Sequence, residues 1–347
     1  MEKNWVKILT VLLIFYTFIA GMLRPLNAGI MEVDPNKTTI DTTIDVHVNT
    51  YNTHLDSESN TAFLSIDSLY SIKCSKFKAL SSNEAVISFN IPAFLPIGQK
   101  IIDASLVIAN KKDGGFARPS SIIITQDSIN IAAGEVLWSV DRISNLPMAE
   151  AKGFPFRLIL EETIRNLYYH VPFWFAMIIL FSTSVFFAIR SLRTGSREDE
   201  LKVYAYNRVG FFYGIMGIIT GAVWARFAWG QYWSGDIKQN MTAIALLIYA
   251  AYFILWKSFK DEKIQARVSG VFTIFAYVAM IPLIFVIPRL YDCLHPGNGG
   301  NPALGGEDLD STMRMVFYPG IIAFTLLGFW LSNIYYRIKQ LDDKMKQ

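Results

Sequence analysis

Five stretches of the chain, residues 171–189, 209–225, 241–256, 269–287 and 315–331, are almost wholly apolar. Each is close to the roughly 17 to 25 residues that a helix needs to cross a hydrocarbon layer. Lipid offers no partner to a backbone N–H or C=O, so segments of this length can only be helices. Residues 5–22, interrupted by Lys7 alone, form a sixth run. We read it as a retained helix and not a cleaved signal, because Leu26-Asn27-Ala28 is a poor cleavage site. At 52% hydrophobic residues the composition fits several membrane spans, and a net charge of +3 gives no reason to expect a nucleic-acid partner. The expected fold is an α-helical polytopic membrane protein of about six transmembrane helices, with the lipid bilayer as its solvent.

Between the first run and the other five the character changes. Across residues 28–153, Ile44, Val46 and Val48 alternate with polar residues, and looser alternation recurs at 63–66, 86–91, 106–108 and 122–124. Short runs separated by clusters such as Lys111-Lys112-Asp113-Gly114-Gly115 predict strands. The expectation is an inserted extracytoplasmic β-sandwich, flanked by a first transmembrane helix at 1–27 and a five-helix membrane domain at 154–347. His47 and His54 are expected on its surface. Residues 158–169 have helical spacing and predict an interfacial helix leading into the membrane.

Basic residues set the orientation. Arg190, Arg193, Arg197, Lys202 and Arg208 follow the first of the five runs, and Lys257, Lys260, Lys263 and Arg267 follow the third. The C-terminal tail adds Arg337, Lys339, Lys344 and Lys346. The alternate connections hold only Arg226 with Lys238, and Arg289 with Arg314. By the positive-inside rule both termini face the cytoplasm, and the β-domain and the two poorly charged connections face outward.

That topology collects unusual residues on one side. His170 stands at the outer entrance of the second span, and His295 lies in the outer connection Tyr291-Asp292-Cys293-Leu294-His295-Pro296. The other outer connection, 224–238, reads WARFAWGQYWSGDIK. Such a run is either an interfacial aromatic belt or a platform for a large planar ligand. Two neutral imidazoles beside an aromatic platform are what bis-histidine ligation of haem iron requires, although either histidine fits equally as an interfacial polar residue. Arg226, Arg289 or Arg314 is placed to pair with propionates. Asp236 reads either as part of this site or as the N-cap of a helix starting near Asn240. Cys74 and Cys293 match no CxxC motif; a disulfide between them is an open alternative. A di-haem electron carrier would need histidine pairs at different depths, and all four histidines lie outside the apolar cores.

These residues resemble a known family. Trp229-Gly230-Gln231-Tyr232-Trp233-Ser234-Gly235-Asp236 resembles the tryptophan-rich WWD signature of the haem-handling CcmC/CcsA proteins of cytochrome c biogenesis. Tyr169-His170-Val171-Pro172, Leu294-His295-Pro296-Gly297 and the segment Asp308 to Arg314 are most similar to the CcmC branch. Tyr232 and Gly235 stand where the signature usually carries tryptophan, and the pattern from Tyr232 to Lys238 leans towards CcsA.

The resemblance implies haem b held transiently by His170 and His295 as axial, metal-ligating residues. Trp229, Gly230, Tyr232, Trp233 and Asp236, with Arg226, would form the cofactor-binding loop. It also implies presentation to a periplasmic haem chaperone of the CcmE type, alongside CcmAB and CcmD subunits, in a bacterial inner membrane. No catalytic residue is expected. The alternative is a CcsA-type subunit of a cytochrome c synthetase, which attaches haem to apocytochrome c.

Overall fold

The computed structural model describes residues 4–57, 59–67, 69–139, 143, 153–295, 305 and 309–346. The chain divides into two compact units, Met1–Arg24 with Glu162–Gln347, and Pro25–Glu161. Among the described residues, helix α1 (Asn4–Leu23) comes first and is followed by nine strands. These are β1 (Gly29–Asp34), β2 (Lys37–Thr39), β3 (Thr42–Tyr51), β4 (Thr61–Ser65), β5 (Ser71–Lys73), β6 (Lys76–Ala79), β7 (Glu84–Ile91), β8 (Ile101–Asn110) and β9 (Gly114–Thr125). The short helix α2 (Ile131–Trp138) comes next. The remaining helices are α3 (Leu167–Thr194), α4 (Arg197–Trp229), α5 (Ile237–Ser258), α6 (Glu262–Ile281) and α7 (Ser311–Lys346).

In the β unit one sheet has the order β1-β3-β7-β6 and the other β2-β9-β8-β4-β5. All pairings are antiparallel except β2 with β9. Along β3 the residues Ile44, Val46, Val48 and Thr50 are buried while Thr43, Asp45 and His47 are exposed, as the two-residue side-chain period requires. Val46, Ile87 and Phe89 from one sheet and Leu64, Leu106, Ile108 and Ile122 from the other belong to one buried cluster. Each such side chain contributes about 1.5–3 kcal/mol of burial. His47 is exposed as expected, but His54 is held: its Nδ1 lies 2.7 Å from Oδ1 of the buried Asp113. Residues 140–142 and 144–152 of the expected insertion lie outside the described residues.

Among the described residues, six helices of the other unit, counting the short 3₁₀ lead-in to α3 and the turns that follow α6, are long and apolar enough to cross a membrane. This is the expected polytopic helical membrane fold. Several helices outrun their apolar cores: α7 has 36 residues against the 17 of its apolar run, about 54 Å at the helical rise. The basic stretch 190–208 is therefore mostly helical and not a loop, divided between the end of α3 and the start of α4. Gly195 in the left-handed region ends α3, and the Ser196 side chain accepts from Asp199 N to start α4. There Arg197 binds Asp343 with both Nε and Nη2 at 2.7 Å and Glu200 at 2.6 Å, fastening the start of α4 to the end of α7.

The interfacial helix expected at 158–169 is not a separate element. Residues 158–160 form a turn, and a 3₁₀ segment (Glu161–Asn166) runs directly into α3 with Ile164 and Tyr168 buried. Pro319 inside α7 has no N–H for the carbonyl of Met315 four residues back, and Tyr16 of α1 donates to that oxygen at 3.0 Å. Deeper in the bundle, Tyr213 Oη donates to the Phe324 carbonyl at 3.0 Å. Tyr213→Phe is expected to cost about 1 kcal/mol, the net worth of one buried hydrogen bond. Thermal unfolding in detergent, with the exposed Tyr318→Phe as control, checks this; equal melting of the two variants contradicts it.

Candidate functional site

The aromatic run is not one loop. Residues 224–229 complete the last turns of α4, because nothing in that sequence breaks a helix until Gly230. Gly230 takes φ +81° and donates its N–H to the Arg226 carbonyl, while Arg226 Nη1 donates back to the Gly230 carbonyl at 2.6 Å. Only residues 230–236 connect α4 to α5. Gly235, at φ +74°, occupies a left-handed position where any side chain would be strained. Its lack of a ring is thus a requirement of this turn.

Asp236 takes the capping role, and its carboxylate also makes bonds beyond its own helix. It is the N-cap of α5, which begins at Ile237 and not near Asn240, and its Oδ1 accepts from Lys238 N at 2.8 Å. The same carboxylate reaches the connection that follows α6. Oδ2 accepts from Leu294 N at 2.7 Å, and Oδ1 lies 2.9 Å from His295 Nδ1. Its side chain is fully buried, so these bonds form in a low dielectric where a charged acceptor is strong. Since the carboxylate only accepts, His295 donates through Nδ1 and keeps a lone pair on Nε2. A carboxylate behind an imidazole fixes the ring and raises its basicity as a ligand. Burial pushes the His295 pKa below its ordinary value, with Asp236 opposing the shift, so the ring is neutral near pH 7.

His295 is brought within range of Asp236 by the end of α6. Pro282 stops the α-helix, a π-helical turn (Pro282–Val286) follows, and Ile287–Arg289 closes as a 3₁₀ turn. The Trp229 ring meets the His295 ring edge-on, with centroids 4.7 Å apart. Around this point Phe227, Tyr232, Trp233, Leu290, Tyr291 and Leu294 are exposed. Trp233 Nε1 donates to Asn240 Oδ1 at 3.0 Å, which orients its indole.

His170 lies in the first turns of α3, facing α4. Its Nδ1 is 3.0 Å from Thr220 Oγ1, and its Nε2 accepts from Trp174 Nε1 at 3.1 Å. The Trp224 ring meets it edge-on, with centroids 5.8 Å apart. Two glycines of α4 make the approach possible. A Cβ on Gly221 would stand 2.6 Å from His170 Cε1, and one on Gly217 would stand 2.6 Å from the Trp174 ring. Thr220 and Trp224, which contact His170, lie in the last turns of α4, and Trp229 at the end of the same helix meets His295, so both imidazoles lie towards that end of the bundle.

Sequence reasoning missed Trp174, Thr220, Gly217 and Gly221. The available signal was the spacing: His170 and Trp174 are one helical turn apart, as are Gly217 and Gly221. Neither cysteine forms a disulfide among the described residues, and Cys293 Sγ lies 3.7 Å from the His295 carbonyl. Pro296, Gly297 and Asp308, which carried part of the family resemblance, lie outside the described residues.

Residues 154–347 match the family model CcmC, described as heme exporter protein C. Similar proteins include heme exporter protein C of Haemophilus influenzae, 23% identical over 186 residues, which cover 54% of this chain and 75% of that protein. The same protein of Escherichia coli K12 is 24% identical over 171 residues, covering 49% and 68%. The cytochrome c biogenesis protein CcsA of Parasynechococcus marenigrum is 49% identical over 61 residues, covering 18% and 20%. With more than half of its length matched by that model, the chain belongs to the CcmC family.

Proposed function

We propose that this protein handles haem in cytochrome c maturation, holding haem b at the outer membrane face between His170 and His295. The observation that carries the reading is the Asp236–His295 pair, which leaves a neutral imidazole with its Nε2 lone pair beside Trp229. No hydrogen bond to that Nε2 occurs among the described residues. Tyr232 and Trp233, exposed at the same end, supply apolar contact for a macrocycle, with Gly230 closing the turn that leads to them. Arg226 is exposed, and with Arg289 and Arg314 it provides cations for the propionates. Haem is cargo here: the residues hold and orient it, and one edge stays exposed for transfer.

In this reading the site and the β unit face the periplasm of a bacterial inner membrane, and the C-terminal end of α7 is cytoplasmic. The two sheets of residues 28–153 form a β-sandwich inserted between a membrane helix at 1–27 and the haem-handling domain at 154–347. The recipient is a haem chaperone of the CcmE type, with CcmAB and CcmD as companions, and the protein presents haem without catalysing its attachment. The high local identity to CcsA favours one other reading, a subunit of a synthetase that joins haem to apocytochrome c. Co-purification separates the two: a haem chaperone with ABC subunits supports the first, a synthetase partner the second.

Absorption spectra of detergent-purified protein test the ligands. A low-spin haem spectrum is expected in the wild type and its loss in both His170→Ala and His295→Ala; unchanged spectra and haem content in both variants would sink the assignment. Asp236 yields a separate prediction. Asp236→Ala removes the α5 cap and the bonds to Leu294 and His295, and is expected to destabilise the protein by about 2–3 kcal/mol. Asp236→Asn keeps a capping oxygen and should lose less than half of that while still lowering haem content. Equal melting temperatures for the two variants would show that Asp236 acts through its charge alone.

A further inference from the structure

The two histidines are prepared differently. His295 has its Nε2 lone pair clear of hydrogen bonds among the described residues, whereas His170 has the corresponding lone pair occupied. Trp174 Nε1, 3.1 Å away, is a donor only, so His170 Nε2 is the unprotonated nitrogen. The other side of the ring agrees. Thr220 Oγ1 donates its own proton to the Met216 carbonyl at 2.8 Å, so it accepts from His170 Nδ1–H at 3.0 Å. Two independent partners therefore fix one tautomer. The lone pair on which Trp174 sits is the one that an iron approaching Nε2 would need.

We propose that Trp174 is a displaceable cap on His170, its indole N–H holding the Nε2 lone pair while the site is empty and yielding it when haem iron arrives. This rests on His170 being a haem ligand. The placement suits a moving part. Trp174 is half-buried, one turn from His170 on the same helix, and its ring lies in the groove left by Gly217. Loading exchanges the indole bond for the iron bond, and unloading lets the N–H recapture the nitrogen. The bond thus stabilises the empty state, lowers haem affinity and favours release to an acceptor.

A merely structural Trp174 would have the opposite effect, since removing a bond that steadies His170 should weaken haem binding. The sign of one substitution decides between them. Trp174→Phe keeps a ring over Gly217 and removes the N–H. Haem b loss from the detergent-purified protein to excess apomyoglobin is expected to slow about fivefold, the ratio that one neutral hydrogen bond is worth, with an unchanged low-spin spectrum. Unchanged or faster loss overturns the cap. In a His170→Ala background the substitution should make no difference to haem content, because its effect passes through that imidazole.

Ultraviolet resonance Raman spectra of the haem-free protein give a readout that needs no haem. The difference between wild type and Trp174→Phe isolates one indole among eight tryptophans. Its hydrogen-bonded N–H signature should vanish in His170→Ala; persistence there overturns the proposal. If His170→Ala keeps the wild-type haem spectrum, the ligand reading itself has failed. If that spectrum is lost and Trp174→Phe does not slow haem loss, only the cap has failed. Should Trp174→Phe not fold, benzothienylalanine at position 174 keeps the shape of the indole without its N–H and takes the variant's place.

Discussion

One buried carboxylate ties together two connections at one end of this bundle. Asp236 accepts from Lys238 N, Leu294 N and His295 Nδ1, so the start of α5 and the connection after α6 share an anchor. A helix N-terminus presents unpaired N–H groups and a partial positive charge, and a carboxylate is the acceptor that matches both. What makes Asp236 more than a cap is its second face. A buried charge with too few partners would be costly, and the Leu294 amide and the His295 imidazole supply the remaining bonds. Helix capping and imidazole orientation are therefore one interaction here, and the position of His295 follows from where α5 begins.

The second imidazole depends on packing between two helices instead of a charge. Gly217 and Gly221 bring α3 close enough for Trp174 and His170 to sit against α4, and Thr220 between them takes the His170 N–H. In lipid, such small-residue contacts substitute for the hydrophobic drive that joins helices in water. Both imidazoles consequently present Nε2 with Nδ1 engaged, by a carboxylate in one case and a hydroxyl in the other. The carboxylate makes its histidine the more basic donor. The hydroxyl leaves the other more neutral, and the indole on its lone pair weakens it further. On the proposed reading, one strong and one restrained ligand would suit a cargo that must leave.

Much of this was legible in the chain, for identifiable reasons. The spans could be read because lipid permits only helices over long apolar runs, and β3 because alternation at Ile44, Val46 and Val48 has no other use. His170 and His295 stood out because polar residues at the ends of spans are few. The aromatic run misled, since composition cannot tell a loop from the last turns of a helix. Gly230, with its positive φ, is where the helix stops, and Gly235 marked a backbone requirement that looked like a missing ring. The 3₁₀ entry to α3 and the helical extensions beyond the bilayer rest on tertiary packing that no local pattern encodes.

The remaining gap concerns pairs distant in sequence. Asp236 and His295 are 59 residues apart, and His170 and Thr220 are 50 apart. Neither pairing leaves a local signature. What the sequence does carry is the one-turn repeat on each partner: His170 with Trp174 on α3, and Gly217 with Gly221 on α4. A bulky pair facing a small pair at the same spacing is a statement about helix contact, because each large side chain needs a gap at its own height. Reading both helices together, and not one at a time, would have placed Trp174 against His170 before any coordinates. The same pairing explains why the histidine is reached by an indole from its own helix: only a residue one turn along shares the groove that the glycines open.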